Sequence, residues 1–376
     1  MKDNDSIPIV KPSLPSFDES FAADVKELVE SGILTKGKYV EAFESRVATH
    51  LGVKHAITTS SCTIGLLLTY AGLGLKGEVL VPSFTFMATV HPLVWLGVKP
   101  VFVDIDAETW NVSVDSIKNS ITNNTTAIIA VHTFGNPAPI EELEGLAKLH
   151  GIPLIFDAAH GFGSLHKGMP LGSYGDAEVF SLSPTKLLIG GEGGVIATNN
   201  DELASYVRLG REYGNPGDYG SLFAGLNARL GEFNALLALR HLDILEKHAT
   251  HRNRIIDIYK KELDSIPGIA TQYVADANRS SYKDFTITVD ESLFGKNRDQ
   301  LSEKLSAKKV DTRKYYYPPV HLHDTYKQID DDANLNLSNT LKVSSSSLSL
   351  PIWSDMDERT VIKICDLIRG FHICND

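Results

Sequence analysis

The chain carries 376 residues, 43% of them hydrophobic and 22% charged, a globular profile with enough apolar material for a sizeable core, which excludes disorder and fibrous repeats. Its 47 acidic residues outnumber 36 basic ones for a formal charge of −11, which argues against nucleic acid or an anionic membrane as partner, so any phosphate must be gripped locally. The three cysteines, Cys62, Cys365 and Cys374, have no zinc-like spacing, so neither a disulfide framework nor a metal cluster is expected and a reducing cytoplasm fits.

The opening MKDNDSIPIV is polar and of mixed charge, unlike a secretory leader, and no apolar stretch is long enough to cross a bilayer. Residues 13–52 read as two amphipathic helices, with Phe21, Val25, Leu28 and Val29 on one stripe and Val40, Phe43, Val47 and Leu51 on the other. Residues 1–52 are therefore expected to form an N-terminal helical arm. From residue 55 the pattern becomes short apolar runs that end in Gly, Ser, Thr, Asp or Pro and alternate with helical stretches. The runs are His55–Thr58, Glu78–Val81, Val101–Asp104, Ala127–His132, Leu154–Phe156, Ala177–Ser181 and Val195–Thr198. This is the signature of an α/β fold with a mainly parallel seven-stranded sheet flanked by helices, expected to fill a large domain over residues 53–240.

Residues 231–264 read as one long helical stretch joining two domains. Beyond Pro267 the pattern predicts a strand pair (269–275, 282–289), a helix near 298–308, an aromatic loop from Tyr315 to Pro319 and a last helix at 357–369. These are expected to build a smaller C-terminal α+β domain over residues 241–376. The serine run Ser344–Ser347 is too short for a linker. Gly72-Leu-Gly-Leu-Lys-Gly77 matches a dinucleotide fingerprint but precedes a strand instead of following one, so it reads as a helix stop and loop. The histidines show no metal-ligand spacing, and no nucleophile elbow is present.

In an open parallel sheet the ligand crevice lies beyond the carboxyl ends of the strands. Those ends carry Thr59, Ser60, Ser61, Cys62 and Thr63, then Ser83, Thr85 and Phe86, then His132 and Phe134, then Asp157 and His160, then Ser181, Ser183 and Lys186. Any one such cluster is ordinary turn chemistry; five converging loops are not. The run TTSSCTIGL at 58–66 sends a strand into an apolar helix through hydroxyl residues suited to capping, and leaves backbone N–H groups for a phosphate.

The most specific stretch is SLSPTKLLIGGEGG at 181–194, which sets Lys186 between a strand and a Gly-rich turn. A deprotonated lysine is a strong nucleophile toward a carbonyl. Asp157, at the end of LIFDAAH, suits the ring nitrogen of pyridoxal 5′-phosphate (PLP), which must stay protonated to draw electrons from a neighbouring carbanion. Phe86 suits the ring face, and His160 the cofactor's phenolic oxygen. The simpler alternatives are a solvated lysine, a helix-capping Asp157, a core aromatic and a structural histidine.

With the stretches PSFTFMAT, PVFVDID, VHTFGNPA, FDAAHGFGS, GLNARLGEFNALLALRHLD and LSLPIWSDM added, the chain from about Pro12 to Arg369 resembles the PLP-dependent nucleotide-sugar aminotransferases of the DegT/StrS type, which have the aspartate aminotransferase fold (fold type I). The resemblance implies that Lys186 bonds PLP and carries protons, and that Asp157 partners the pyridine nitrogen. It further implies that Phe86 stacks, that His160 sits by the phenolic oxygen, and that Ser61, Cys62, Thr63, Ser181 and Ser183 surround the phosphate. Asn227 would reach the phosphate of the neighbouring subunit in a homodimer with shared sites. Arg229, Tyr316 and His321 are candidates for sugar-nucleotide contact. Relatives often carry Gly-Thr where this chain has Cys62-Thr63, and His where it has Tyr213.

The implied reaction moves an amino group from L-glutamate through pyridoxamine phosphate to a nucleotide-linked keto-sugar, a dTDP-4-keto-6-deoxyhexose. Some members of the family carry histidine at the lysine position and act as sugar dehydratases, so Lys186 favours transamination. A PLP-dependent lyase or dehydratase, a non-catalytic PLP-binding regulator of the same fold and, last, an NAD oxidoreductase are the alternatives.

Overall fold

The computed structural model describes residues 6–327 and 336–372; Cys374 and the rest of the chain lie outside the described residues. Helix α1 (Glu19–Ser31) starts where the Asp18 carboxylate accepts from Phe21 N and stops at Gly32, whose φ of 65° ends the helix in the left-handed region. Helix α2 (Lys38–Leu51) has no side-chain cap of its own. Its cap comes from far along the chain: the buried Glu232 carboxylate accepts from the N–H groups of Gly37, Tyr39 and Val40. Three otherwise orphaned donors thereby anchor the N-terminal arm to the body of the molecule.

Seven strands form one sheet: β1 (His55–Thr59), β2 (Glu78–Pro82), β3 (Lys99–Val103), β4 (Thr125–Val131), β5 (Leu154–Asp157), then β8 (Ala177–Ser181) and β9 (Gly194–Thr198). A two-residue hairpin, β6 (Leu165–His166) with β7 (Met169–Pro170), lies between β5 and β8. The spatial order is β1-β9-β8-β5-β4-β2-β3. Pairings from β8 to β3 are parallel, and β9 runs antiparallel to both β8 and β1. Each expected strand is a strand of this sheet, with ends that match or shift by at most two residues. Helices α3 (Cys62–Gly72), α4 (His91–Trp95), α5 (Val114–Ser120), α6 (Ile140–His150) and α7 (Asp201–Gly210) connect the strands. Two separate apolar clusters cover the two faces, one containing Phe43, Ile128, Leu143, Phe156 and Leu236, the other Leu66, Tyr70, Val79, Ile129 and Val207. That is the double cover expected of strands apolar along their whole length. Helix α3 ends at Gly72, and Gly74 and Gly77 take positive φ in the turn to β2, so the fingerprint-like run is a helix stop.

The single long helix expected over 231–264 is two helices, α8 (Glu232–Leu242) and α9 (Leu245–Leu263). The break at Asp243–Ile244 involves neither Pro nor Gly. It lets the His241 and His248 rings meet at 5.3 Å, whereas residues seven apart in a continuous helix are separated by about 10 Å of rise. The remaining chain adds α10 (Glu291–Phe294), α11 (Arg298–Ala307), α12 (Ser338–Ser346), α13 (Glu358–Phe371) and a three-stranded antiparallel sheet β10-β11-β12. Of that sheet, β10 (Ile269–Thr271) and β11 (Phe285–Val289) lie within the expected pair. The third strand, β12 (Ser347–Leu350), begins where the serine run ends, because alternate pairing to Phe285–Thr288 buries Leu348 and Leu350. A third apolar cluster, including Tyr259, Phe285, Leu301 and Ile364, packs here.

Candidate active site

Strand β1 passes through Ser60 and Ser61 into α3, and the Ser61 hydroxyl accepts from Ile64 N as the N-cap. The N–H groups of Cys62 and Thr63 occupy the first helical positions, where no intrahelical acceptor exists. Strand β9 packs directly against this turn, since a Cβ on Gly194 would lie 2.7 Å from Cys62 N and from the Ser61 carbonyl. The outcome is a small cup of backbone donors, the arrangement that receives a phosphate at a helix N-terminus.

Lys186 follows β8 in a loop that closes on itself. Lys186 N donates to the Ser183 carbonyl, Gly190 N to Leu182 and Leu182 N to Gly193. Helix α8 braces the loop: Asn234 Nδ2 donates to the Gly190 carbonyl, and Ile189 N donates to His241 Nδ1. Because Nδ1 accepts there, Nε2 carries the proton and donates to His248 Nδ1 at 3.3 Å. Burial, reinforced by His248, holds His241 down to about 4, so it stays neutral. The Lys186 amine itself makes no hydrogen bond with any described residue. Burial lowers its pKa to about 8, the nearby Lys283 ammonium pushes the same way, and Asp284, Cys62 and Asp157 oppose.

Asp157 closes β5. Its Oδ2 accepts from Thr89 Oγ1 at 2.7 Å and its Oδ1 from Ala159 N at 3.0 Å. Thr89 spends its proton on Asp157, so the 2.8 Å contact between the two threonine hydroxyls is donated by Thr85. Burial raises the Asp157 carboxyl, and the Thr89 and Ala159 donors pull it back. His160 is driven well below the usual imidazole range by burial, with the Lys186 and Lys283 ammoniums adding. Its Nδ1 is buried without a partner.

One cavity of about 330 Å³ joins these groups. Ser61, Cys62, Thr63, Phe86, Asp157, His160, Ser181, Ser183, Lys186 and Tyr316 all line it, with Phe86 exposed at the rim. Asn227, Arg229 and His321 are not brought to it. Asn227 is exposed on the loop whose Ala228 carbonyl accepts from Ser60 N. Arg229 pairs with Glu212 at 3.0 Å, and His321 Nδ1 is taken up by Ser83 Oγ at 2.6 Å. Nor does His132 face the crevice: its Nδ1 accepts from Ala138 N, its Nε2 meets Glu178 Oε2 at 3.2 Å, and the pair is sealed in the core. Sequence reasoning missed Thr89, Glu192, Lys283, Asp284 and Tyr315. Thr89 falls in the stretch PSFTFMAT, but Lys283 and Asp284 precede β11 with no local pattern to single them out.

The donor set fits PLP on this structure's own terms. An unpartnered amine, a carboxylate held by two donors, an orphaned buried imidazole nitrogen and free helix N–H groups share one cavity. Among the described residues no cluster of His, Cys, Asp and Glu suits a metal ion, and no helix is long and apolar enough to cross a membrane.

Known proteins share this architecture. The DegT/DnrJ/EryC1/StrS aminotransferase family model matches residues 15–369. The chain is 31% identical to GDP-perosamine synthase of Vibrio cholerae, over 98% of this chain and 100% of that one. It is also 31% identical to dTDP-4-amino-4,6-dideoxy-D-glucose transaminase of Escherichia coli, over 97% and 98%. The crystal structure of DesI in the presence of its TDP-sugar product superposes with a TM-score of 0.90 at 33% identity, covering 98% of this chain and 93% of that one.

Proposed function

The chain belongs to the DegT/DnrJ/EryC1/StrS aminotransferase family, and from that premise we propose that it is a PLP-dependent aminotransferase that moves an amino group from L-glutamate to a nucleotide-linked keto-sugar. The observation that carries this is the unpartnered Lys186 amine and Asp157 lining one cavity beside the free first turn of α3. We propose a 4-keto-6-deoxyhexose as acceptor, a choice supported by the name of the Escherichia coli relative. The GDP and dTDP relatives stand at equal identity, so either nucleotide is compatible.

PLP, when bound, supplies an aldehyde to take up the amino group and a ring that spreads the charge released when a C–H bond breaks. The chain's own residues do the rest. The Cys62 and Thr63 N–H groups, with the Ser61, Ser181 and Ser183 hydroxyls, would hold the phosphate. Asp157, anchored by Thr89, would keep the pyridine nitrogen protonated. A positive partner there also relieves the cost of a buried carboxylate. Neutral His160 would offer Nδ1 beside the phenolic oxygen, and Phe86 would cover the ring face. The Lys186 amine, its pKa lowered to about 8 by burial, is suited to take a proton from the carbon bearing the amine and return it. A second copy of the chain would complete each site through Asn227, as a homodimer.

The test is a panel of dTDP- and GDP-linked keto-sugars incubated with holoenzyme and L-glutamate, products read by mass. An amine in place of a ketone is expected, and Lys186→Ala should abolish it. Loss of water from the sugar would instead indicate a dehydratase.

A further inference from the structure

Lys283 and Asp284 form a buried ion pair in the wall of the cavity that holds Lys186. Lys283 Nζ lies 2.9 Å from both Oδ1 and Oδ2 of Asp284, and both side chains are more than nine-tenths buried. Hydrogen bonds tie the segment that carries the pair to the loops beyond β4 and β5. Lys283 N donates to the Phe134 carbonyl, Ser281 N to Ser164 Oγ, and Ser281 Oγ to the His160 carbonyl. On the other side the buried Arg252 guanidinium donates to the Tyr282 carbonyl. An ammonium has three N–H donors; two face Asp284, the Tyr315 ring centroid lies 5.1 Å from Nζ, and no described residue supplies an oxygen or nitrogen acceptor for the third. Among the described residues, Lys186 and Lys283 are the only lysines or arginines that line the cavity.

The reaction poses a problem that this pair answers. One cavity must receive, in turn, an amino acid with a carboxylate bonded directly to its reacting carbon and a sugar with hydroxyls around its own. The diphosphate of a sugar nucleotide is removed from the ketone by the ring, so it does not compete for a group beside Lys186. We infer that Lys283 is the receptor for the amino donor's carboxylate, held ready by Asp284. Because the pair is internally neutral, it does not penalise the uncharged ring, whereas a lone buried cation would demand an anion at every stage. The closeness of Lys283 to Lys186 is also visible in its downward push on the Lys186 amine.

The inference rests on the aminotransferase reading, and its test separates the two. With holoenzyme, Lys283→Met is expected to raise KM for L-glutamate by about ten- to a hundredfold, the loss of one hydrogen bond between charged groups, while KM for the keto-sugar changes less than about threefold. Glutarate, a dicarboxylate without an amine, titrated by calorimetry, should weaken in parallel. Lys283→Arg should retain its binding. Asp284→Asn should tighten it, because the ammonium then loses its competing carboxylate; this opposite sign keeps the test decisive should Lys283→Met fail to fold. Equal effects on both substrates, or no gain in glutarate affinity with Asp284→Asn, would overturn the assignment. If no amino acid and sugar nucleotide exchange an amine on the unaltered enzyme, the aminotransferase reading falls, and the glutarate titrations still decide on Lys283.

Discussion

Burial lowers the Lys186 ammonium to about 8, and the Lys283 ammonium works in the same direction. Only the neutral amine attacks an aldehyde, so capture of PLP by cofactor-free protein should quicken as pH rises through about 8 and level off above it. At pH 7 roughly a tenth of such amines are neutral, against roughly one in several thousand for an ordinary lysine. Stopped-flow absorbance across pH 6–10 reads this directly, and a rate still climbing at the top of that range would mean that the amine is not desolvated as described. Asp157 was legible because it closes an apolar run with a carboxylate, and Lys186 because it stands between a strand and a Gly-rich turn. The environment that tunes them was not. Thr89 on Asp157 and Lys283 near Lys186 arrive from other segments, and no spacing rule relates them. His132 marks the reverse error: it ends a strand as Asp157 does, yet a carboxylate from β8 claims it for the core.

At the scale of elements, the phosphate cup depends on how closely β9 approaches the first turn of α3. A methyl group at Gly194 would meet backbone atoms at 2.7 Å, and backbone cannot swing aside as a side chain can. Gly194→Ala should therefore displace the donors of Cys62 and Thr63 and weaken PLP binding by about tenfold or more, the scale of an overpacked contact. Equilibrium titration of cofactor absorbance measures it, and unchanged affinity would show that the cup is not the phosphate site. The seven strands of the large sheet could be read in the chain because double cover makes each an apolar run with a polar end. The antiparallel sense of β9 could not, since a fully buried strand looks the same in either direction. The division of α8 from α9 was hidden for a related reason. The apolar period continues through Leu242 and Leu245, and the break is visible only in the meeting of His241 with His248.

For the whole molecule, Asn227 is exposed and absent from its own chain's cavity, while Leu34, Tyr213, Leu222 and Phe233 are exposed apolar or aromatic side chains on segments around it. Bridges of Thr35 to Gly231 and of Glu212 to Asn227 bring these segments together. Exposed apolar surface of this kind suits a protein partner, and a second copy would place Asn227 at the neighbouring cup. Mixing Lys186→Ala subunits with Asn227→Ala subunits at limiting PLP should raise turnover above that of either variant alone, because one site of a hybrid dimer then carries neither lesion. No recovery after verified subunit exchange would remove Asn227 from the partner's site. By itself the amino-acid sequence determined the seven strands of the large sheet, the family likeness and the candidacy of Lys186 and Asp157, because these are written in local periodicity and in the side chains at and after the strand ends. Tertiary structure alone decided which distant side chains share the cavity. Lys283 and Asp284 enter through hydrogen bonds of their segment to Phe134, His160, Ser164 and Arg252, and Arg229 and His321 are drawn off by partners of their own. Such choices depend on the sum of contacts across the fold, which no single stretch of chain records.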